Sequence, residues 1–117
     1  MGHVNNTIYV KWVQDIAILH WETIVPDDLR GVYLSIVLRH EIDYRDQLLA
    51  GEQVEIRTWI GRASGPRFAR YVDIRKPGAK RYSASAKTDW CMIDVQSRRP
   101  KRVGADLIEA FGATGLL

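Results

Sequence analysis

A single uninterrupted helical pattern, followed by an abrupt change in the spacing of apolar residues, limits most strongly what this chain can fold into. From Thr7 to about Glu22 there is no glycine or proline. Apolar residues fall on two neighbouring stripes, Ile8, Trp12, Ile16 and Leu19 on one and Tyr9, Val13, Ala17 and Trp21 on the other. That spacing predicts one helix with a wide apolar face. Asn5 and Asn6 stand just ahead of it, and their short amide side chains can accept hydrogen bonds from the unpaired amides of a first turn. Pro26 disfavours helical geometry at Val25 and ends the element; the polar Asp27, Asp28 and Arg30 and then Gly31 follow.

Beyond this helix the period drops from 3.6 to 2. Leu34, Ile36, Leu38, His40, Ile42 and Tyr44 alternate with Ser35, Val37, Arg39, Glu41, Asp43 and Arg45, predicting a strand with one mostly apolar and one mostly charged face. Val54, Ile56, Thr58 and Ile60 against Glu55, Arg57 and Trp59 predict a second. Residues Arg67 to Arg75 predict a third, with Phe68, Val72 and Ile74 on one side and Arg70 out of place among them. A fourth, rich in alanine and serine, runs from Arg81 to about Asp94. Ala50-Gly51-Glu52, Ala63-Ser64-Gly65-Pro66 and Lys76-Pro77-Gly78-Ala79 supply the residues that reversals need, so the strands are expected to be antiparallel. Ala105 to Phe111 predicts a short closing helix, with Gly112 as its stop. The order describes an α+β fold in which one helix covers one antiparallel sheet.

At 117 residues with 46% apolar content, the chain suits one domain, residues 1–117, with one thin core. It holds no run of eighteen or more apolar residues and no signal-peptide pattern. The lone Cys91 forms no internal disulfide or cysteine zinc site and suits a reducing compartment, so a cytoplasmic protein off the membrane is expected. The net charge of +3 gathers at Arg98, Arg99, Lys101 and Arg102 and at Lys76, Lys80 and Arg81. Such clusters favour anionic partners, whether nucleic acid or a phosphorylated small molecule, or serve solubility alone. The helix is apolar over more of its circumference than one sheet covers, which predicts a homodimer or a dimer of dimers.

The opening Gly2-His3-Val4-Asn5-Asn6-Thr7-Ile8-Tyr9-Val10-Lys11-Trp12 resembles the GHVNN-x-x-Y-x-x-W signature of hot-dog thioesterases of the 4-hydroxybenzoyl-CoA thioesterase type. Arg39-His40-Glu41-Ile42-Asp43-Tyr44, Ala50-Gly51-Glu52, Thr58-Trp59, Thr88-Asp89-Trp90 and Arg98-Arg99-Pro100 follow in similar order. The resemblance implies a hot-dog fold, an antiparallel sheet wrapped around one long central helix, and hydrolysis of an acyl-CoA thioester. Coenzyme A is then part of the substrate, and no separate cofactor or metal is expected. It also implies a catalytic set of Gly2, His3, Asn5, Asn6 and Tyr9 where that helix begins. The chemistry fits the position, because unpartnered amides at a helix N-terminus carry partial positive charge and can polarise a carbonyl. Gly2 lets the backbone come close, His3 can donate or shuttle a proton, and the asparagines can hold a water or simply cap the helix. Cations at strand ends and turns, Arg62, Arg67, Lys76, Lys80 and Arg81, are candidates for the phosphates of the coenzyme. Trp12, Ile16, Trp59 and Trp90 are candidates for the acyl slot, each equally suited to a plain core role.

In one respect the sequence departs from the family. There an aspartate stands three residues before the motif's glycine, after a first strand; here Met1 is one residue before Gly2, and the expectation is a start placed too late. Within the chain, Glu41 and Asp43 read as surface residues, His40 as a core histidine and Cys91 as a buried small apolar residue. Asp46 and Gln47 stand near the place where related acyl-carrier-protein thioesterases carry an acid. Other readings are a binding module that holds acyl-CoA without cleaving it, dehydratase or hydratase chemistry on the same scaffold, and nucleic-acid binding. The last lacks any ribbon of stacking aromatics or recognition-helix pattern, so no nucleic-acid partner is expected.

Overall fold

The computed structural model describes residues 4–112. Helix α1 (Asn6–Ile24) comes first, then the single turn α2 (Asp27–Arg30), strands β1 (Tyr33–Tyr44), β2 (Glu55–Ser64), β3 (Arg67–Arg75) and β4 (Ala84–Asp94), and helix α3 (Ala105–Gly112). The four strands form one antiparallel sheet in the order β1-β4-β3-β2. Asn5 caps α1 from an extended conformation, its side-chain oxygen accepting from the Thr7 amide at 3.0 Å. At the far end Val25 is extended and its N–H closes the last turn onto the Trp21 carbonyl, as Pro26 requires. Gly65 and Gly78 hold positive φ, 58° and 76°, at the β2–β3 and β3–β4 reversals, a conformation other residues rarely adopt.

Of the two apolar stripes on α1, the one carrying Tyr9, Val13 and Ala17 is buried, while Ile8 and Leu19 of the other are exposed. The buried stripe lies on the inner face of the sheet, which β4 presents as Ala84, Ala86, Thr88, Trp90 and Met92. Small residues at Ala84 and Ala86 let the helix approach. The fourth strand starts three residues later than its sequence pattern predicts. Ser83 stands just before the strand: its amide donates to the Ile74 carbonyl, and its carbonyl accepts from the amides of Arg45 and Asp46, the two residues after β1.

The larger difference lies in β1. Its register with β4 slips between Val37 and Arg39, so Leu38 is an extra residue in a bulge. Facing pairs on one side of an antiparallel ladder share a face. Past the bulge His40 and Ile42 pair with Thr88 and Ala86 on the inner face; before it, Tyr33 and Ser35 occupy that face instead. Leu34 and Ile36, expected beside His40 and Ile42, therefore point outward, and both are exposed.

The inner face is divided. Val25, Tyr33, Ile60, Phe68, Met92, Val103, Leu107 and Phe111 make one apolar cluster near the end of α1. Tyr9, Val13, Leu48, Val72, Ile74, Ala84 and Ala86 make another near its start. Between them His40, Thr88 and Arg70 sit side by side across three strands, with Arg70 and Thr88 fully enclosed. Each large side chain buried in either cluster contributes about 1.5–3 kcal/mol, so the two clusters, and not the polar row, hold helix to sheet.

Candidate functional site

The start of α1 opens onto a cleft. Val4 anchors the segment before the helix by donating its amide to the Leu48 carbonyl at 2.8 Å, which brings the chain after β1 alongside. The cleft, about 200 Å³, is lined by Val4, Asn6 and Tyr9 from the helix side and by Tyr44, Arg45, Asp46, Gln47 and Leu48 from the other. Tyr9 is 3% exposed and held edge-on between Trp12 and Tyr44, with ring centroids 5.6 and 5.2 Å away. Burial pushes its hydroxyl pKa up, so it stays protonated, against a smaller opposing effect of a hydrogen bond with the Leu48 backbone.

The first amides of α1 have separate fates. That of Thr7 is taken by the Asn5 side chain and that of Ile8 by the Asn5 carbonyl, at 2.9 Å. The Asn6 amide meets no acceptor among the described residues. Asn5 thus serves as the cap, its side-chain oxygen shared between the Thr7 amide and hydroxyl. The Asn6 side chain is exposed at the cleft. Gly2 and His3, the remaining members of the sequence-predicted set, lie outside the described residues.

Beside this cleft, sharing Arg45 with it, is a second of about 450 Å³ lined by Arg45, Arg75, Lys80, Arg81 and Tyr82. Four of its five lining residues are cations. Arg81 reaches Asp46 at 3.2 Å, and Arg45 lies over the Tyr82 ring at 5.2 Å. Arg75 is bound to Asp73 at 2.6 Å, and this carboxylate raises its pKa. Of the predicted cations, Lys80 and Arg81 line this cleft, while Lys76 is turned to Glu52, 3.3 Å away. Arg62 and Arg67 belong to the opposite end of the sheet. Arg67 opens β3 and Arg75 closes it, a separation of about 26 Å at ~3.3 Å per residue. Arg45 and Arg75 were missed by the sequence reading, because a cation at the end of a strand carries no mark of which neighbour it will meet.

The other candidates fall elsewhere. Glu41 and Asp43 are exposed on the outer face, opposite Lys87 and Ser85. His40 is half-buried, its Nδ1 2.8 Å from the Thr88 hydroxyl, and burial lowers its pKa. Cys91 is buried, and its thiol makes only a 3.6 Å contact to the Met92 carbonyl. Trp12 and Ile16 flank the apolar cluster near the start of α1. Trp90 is partly buried on the inner face, and Trp59 stacks on Tyr71 at 5.7 Å. Among the described residues no three histidine, cysteine or acidic side chains gather where a metal could sit, and no helix is long and apolar enough to cross a membrane.

Residues 1–111 match the thioesterase-like superfamily. The chain belongs to that superfamily. Solved structures of similar fold include a Pseudomonas aeruginosa protein, 19% identical, with a TM-score of 0.84 over 97% of this chain and 80% of the other. A Thermus thermophilus thioesterase solved with coenzyme A and zinc is 22% identical, with a TM-score of 0.80 over 97% of this chain and 81% of that one. A 1,4-dihydroxy-2-naphthoyl-CoA thioesterase from Synechocystis is 16% identical, with a TM-score of 0.76 over 94% and 83%. At such identities the likeness establishes the fold, here the hot-dog fold of thioesterases. No curated protein matches the chain in sequence. The cleft at the start of α1 and the cationic cleft beside it bring polar and charged groups together at one end of the sheet.

Proposed function

We propose that this protein hydrolyses an acyl-CoA thioester, with the carbonyl at the start of α1 and the coenzyme phosphates on the neighbouring cations. The observation that carries the reading is the shared wall of the two clefts, Arg45, which sets a helix N-terminus and a carboxylate beside a cation-lined recess. The Asn6 amide, with Gly2 and His3 ahead of it, polarises the thioester carbonyl and stabilises the oxyanion as water adds. Asp46 takes the proton from that water, with Arg81 holding its carboxylate in place at 3.2 Å. The C–S bond then breaks, the thiolate of coenzyme A leaves and takes up the proton, and the free acid remains. Asn6 and Tyr9 orient the acyl group, and Asn5 holds the helix end. The coenzyme is consumed as substrate, and this chemistry asks for no resident cofactor. Zinc and coenzyme A accompany the Thermus relative, and coenzyme A a Staphylococcus aureus protein of similar fold. The working form is a cytoplasmic homodimer or dimer of dimers.

A panel of aliphatic and aromatic acyl-CoAs, read by a thiol reagent, tests the assignment on this chain and on a form extended upstream of Met1. Asp46→Asn is expected to lower kcat by about 10²-fold or more, in the range of general-base loss. Lys80→Ala is expected to raise KM with little change in kcat. If no member of the panel releases coenzyme A from either form, the hydrolase reading is wrong. A change in tryptophan fluorescence on adding acyl-CoA would then leave the binding module in its place.

A further inference from the structure

Arg70 is the least expected side chain on the inner face. It is 2% exposed, and it donates to the His20 Nδ1 at 2.8 Å and to the Thr58 hydroxyl at 2.9 Å, while its Nε has no partner. No carboxylate lies within ion-pair reach of it among the described residues. Burial lowers its pKa to about 10, which still leaves it charged at neutral pH. His20 supplies no compensating charge. Burial first, and the Arg70 charge second, bring its pKa down to about 4, so it is a neutral acceptor. A buried guanidinium without an anion is costly and is the kind of group a ligand satisfies.

Arg70 also lines a cleft of about 470 Å³ between the second half of α1 and β1, in the range of sites for small organic molecules. The walls are apolar: Ala17, Ile18, Trp21, Phe68 and Trp90. Gln14, Tyr33 and Ser35 add groups that can accept as well as donate. Trp90 Nε1, Arg70 Nε and Arg30 Nε are each buried without a partner, and of the two guanidiniums only that of Arg30 is paired with a carboxylate, that of Asp27. A largely apolar recess lined by a buried guanidinium with no carboxylate beside it matches a molecule with a hydrocarbon body and one anionic end.

We propose that this cleft binds an amphipathic carboxylic acid, its carboxylate on Arg70 and the Trp90 indole N–H and its hydrocarbon against Trp21 and Phe68. The site shares no lining residue with the cleft at the start of α1, so it is distinct from the proposed thioester site. An apolar carboxylate is also what thioester hydrolysis releases, which makes this a place where an acid product can be held.

The test measures binding and not hydrolysis, so it fails or succeeds independently of the activity. Decanoate and decanol share a hydrocarbon body and differ in charge. Titrated into the whole protein below the micelle concentration and followed by tryptophan fluorescence and calorimetry, decanoate should bind at least about tenfold more tightly. Arg70→Met should bring decanoate down to the level of decanol. Ile18→Trp, a change at an exposed position on the rim, should weaken both by filling the mouth. Equal affinity for acid and alcohol in the unmodified protein overturns the proposal, as does a preference for decanoate that survives Arg70→Met. Decanoate binding untouched by Ile18→Trp also overturns it, since the acid would then sit on the cations near Lys80. Should Arg70→Met fail to fold, the acid-to-alcohol ratio and the Ile18→Trp result decide.

Discussion

His20 and Arg70 face each other at 2.8 Å with only one of them charged, and that makes the contact sensitive to acid. Folding lowers the His20 pKa from 6.5 to about 4, chiefly by burial. Between those values the unfolded chain binds the proton and the folded chain does not. Stability is therefore lost as pH falls from about 6.5 towards 4. The loss is on the order of 2 kcal/mol, discounted from the full shift because solvent reaches part of the ring. Urea midpoints at pH 7.0 and 5.0 should differ by more in the unmodified protein than in His20→Gln, whose amide oxygen still accepts from Arg70 but does not titrate. Equal pH dependence in the two would show that the ring is protonated in the fold. The sequence exposed half of this pair: Arg70 breaks the alternation between Phe68 and Val72 and is visible as an anomaly. Its partner lies fifty residues earlier on the helix, at a position where a histidine reads as one more amphipathic residue. Only the crossing of α1 over β3 brings them together.

The elements themselves were largely written in local patterns. The helix between Asn5 and Pro26, the strands between turn residues and the short last helix follow from propensity and punctuation that act within a few residues. The bulge at Leu38 does not, because Val37 and Leu38 are both apolar and either phase of the alternation suits the pattern. A second register shift, between Ile60 and Ala63 in β2, leaves Gly61 buried where the strand meets Tyr71. A Cβ at Gly61 would come within 2.8 Å of the Tyr71 ring, which is itself stacked on Trp59. Gly61→Ala is accordingly expected to destabilise the fold by about 1–3 kcal/mol, read as a lower urea midpoint with unchanged m-value. The same substitution at Gly31, whose nearest neighbours are at 3.6 Å, provides the comparison and should cost less. If the two variants unfold at the same midpoint, Gly61 is not under the close approach described.

Much of the apolar surface left uncovered among the described residues lies along β1. Among the described residues β1 pairs only with β4, which leaves its other edge unpaired there, and Leu34, Ile36, Val37 and Leu38 along it are exposed. Ile18 and Leu19 of α1 are exposed as well, at 54% and 59%. A bulge is one device that discourages edge pairing, yet four consecutive large apolar or near-consecutive positions on an open edge invite it. Two copies related by a two-fold axis would bring the same edge of each against the other, pairing backbone groups and burying Ile36, Val37 and Leu38 in one step. The expectation of a partner rested on the excess of apolar circumference on the helix; exposed apolar residues lie on the strand as well as on the helix. A dimer is therefore expected in sedimentation at micromolar concentration, and Ile36→Lys with Leu38→Lys should convert it to a monomer. Both residues are exposed within one chain, so the double variant should keep its far-ultraviolet circular dichroism while losing association. An unmodified protein that sediments as a monomer across this range would leave the edge without the partner argued for here. A variant that stays dimeric would move the contact off β1.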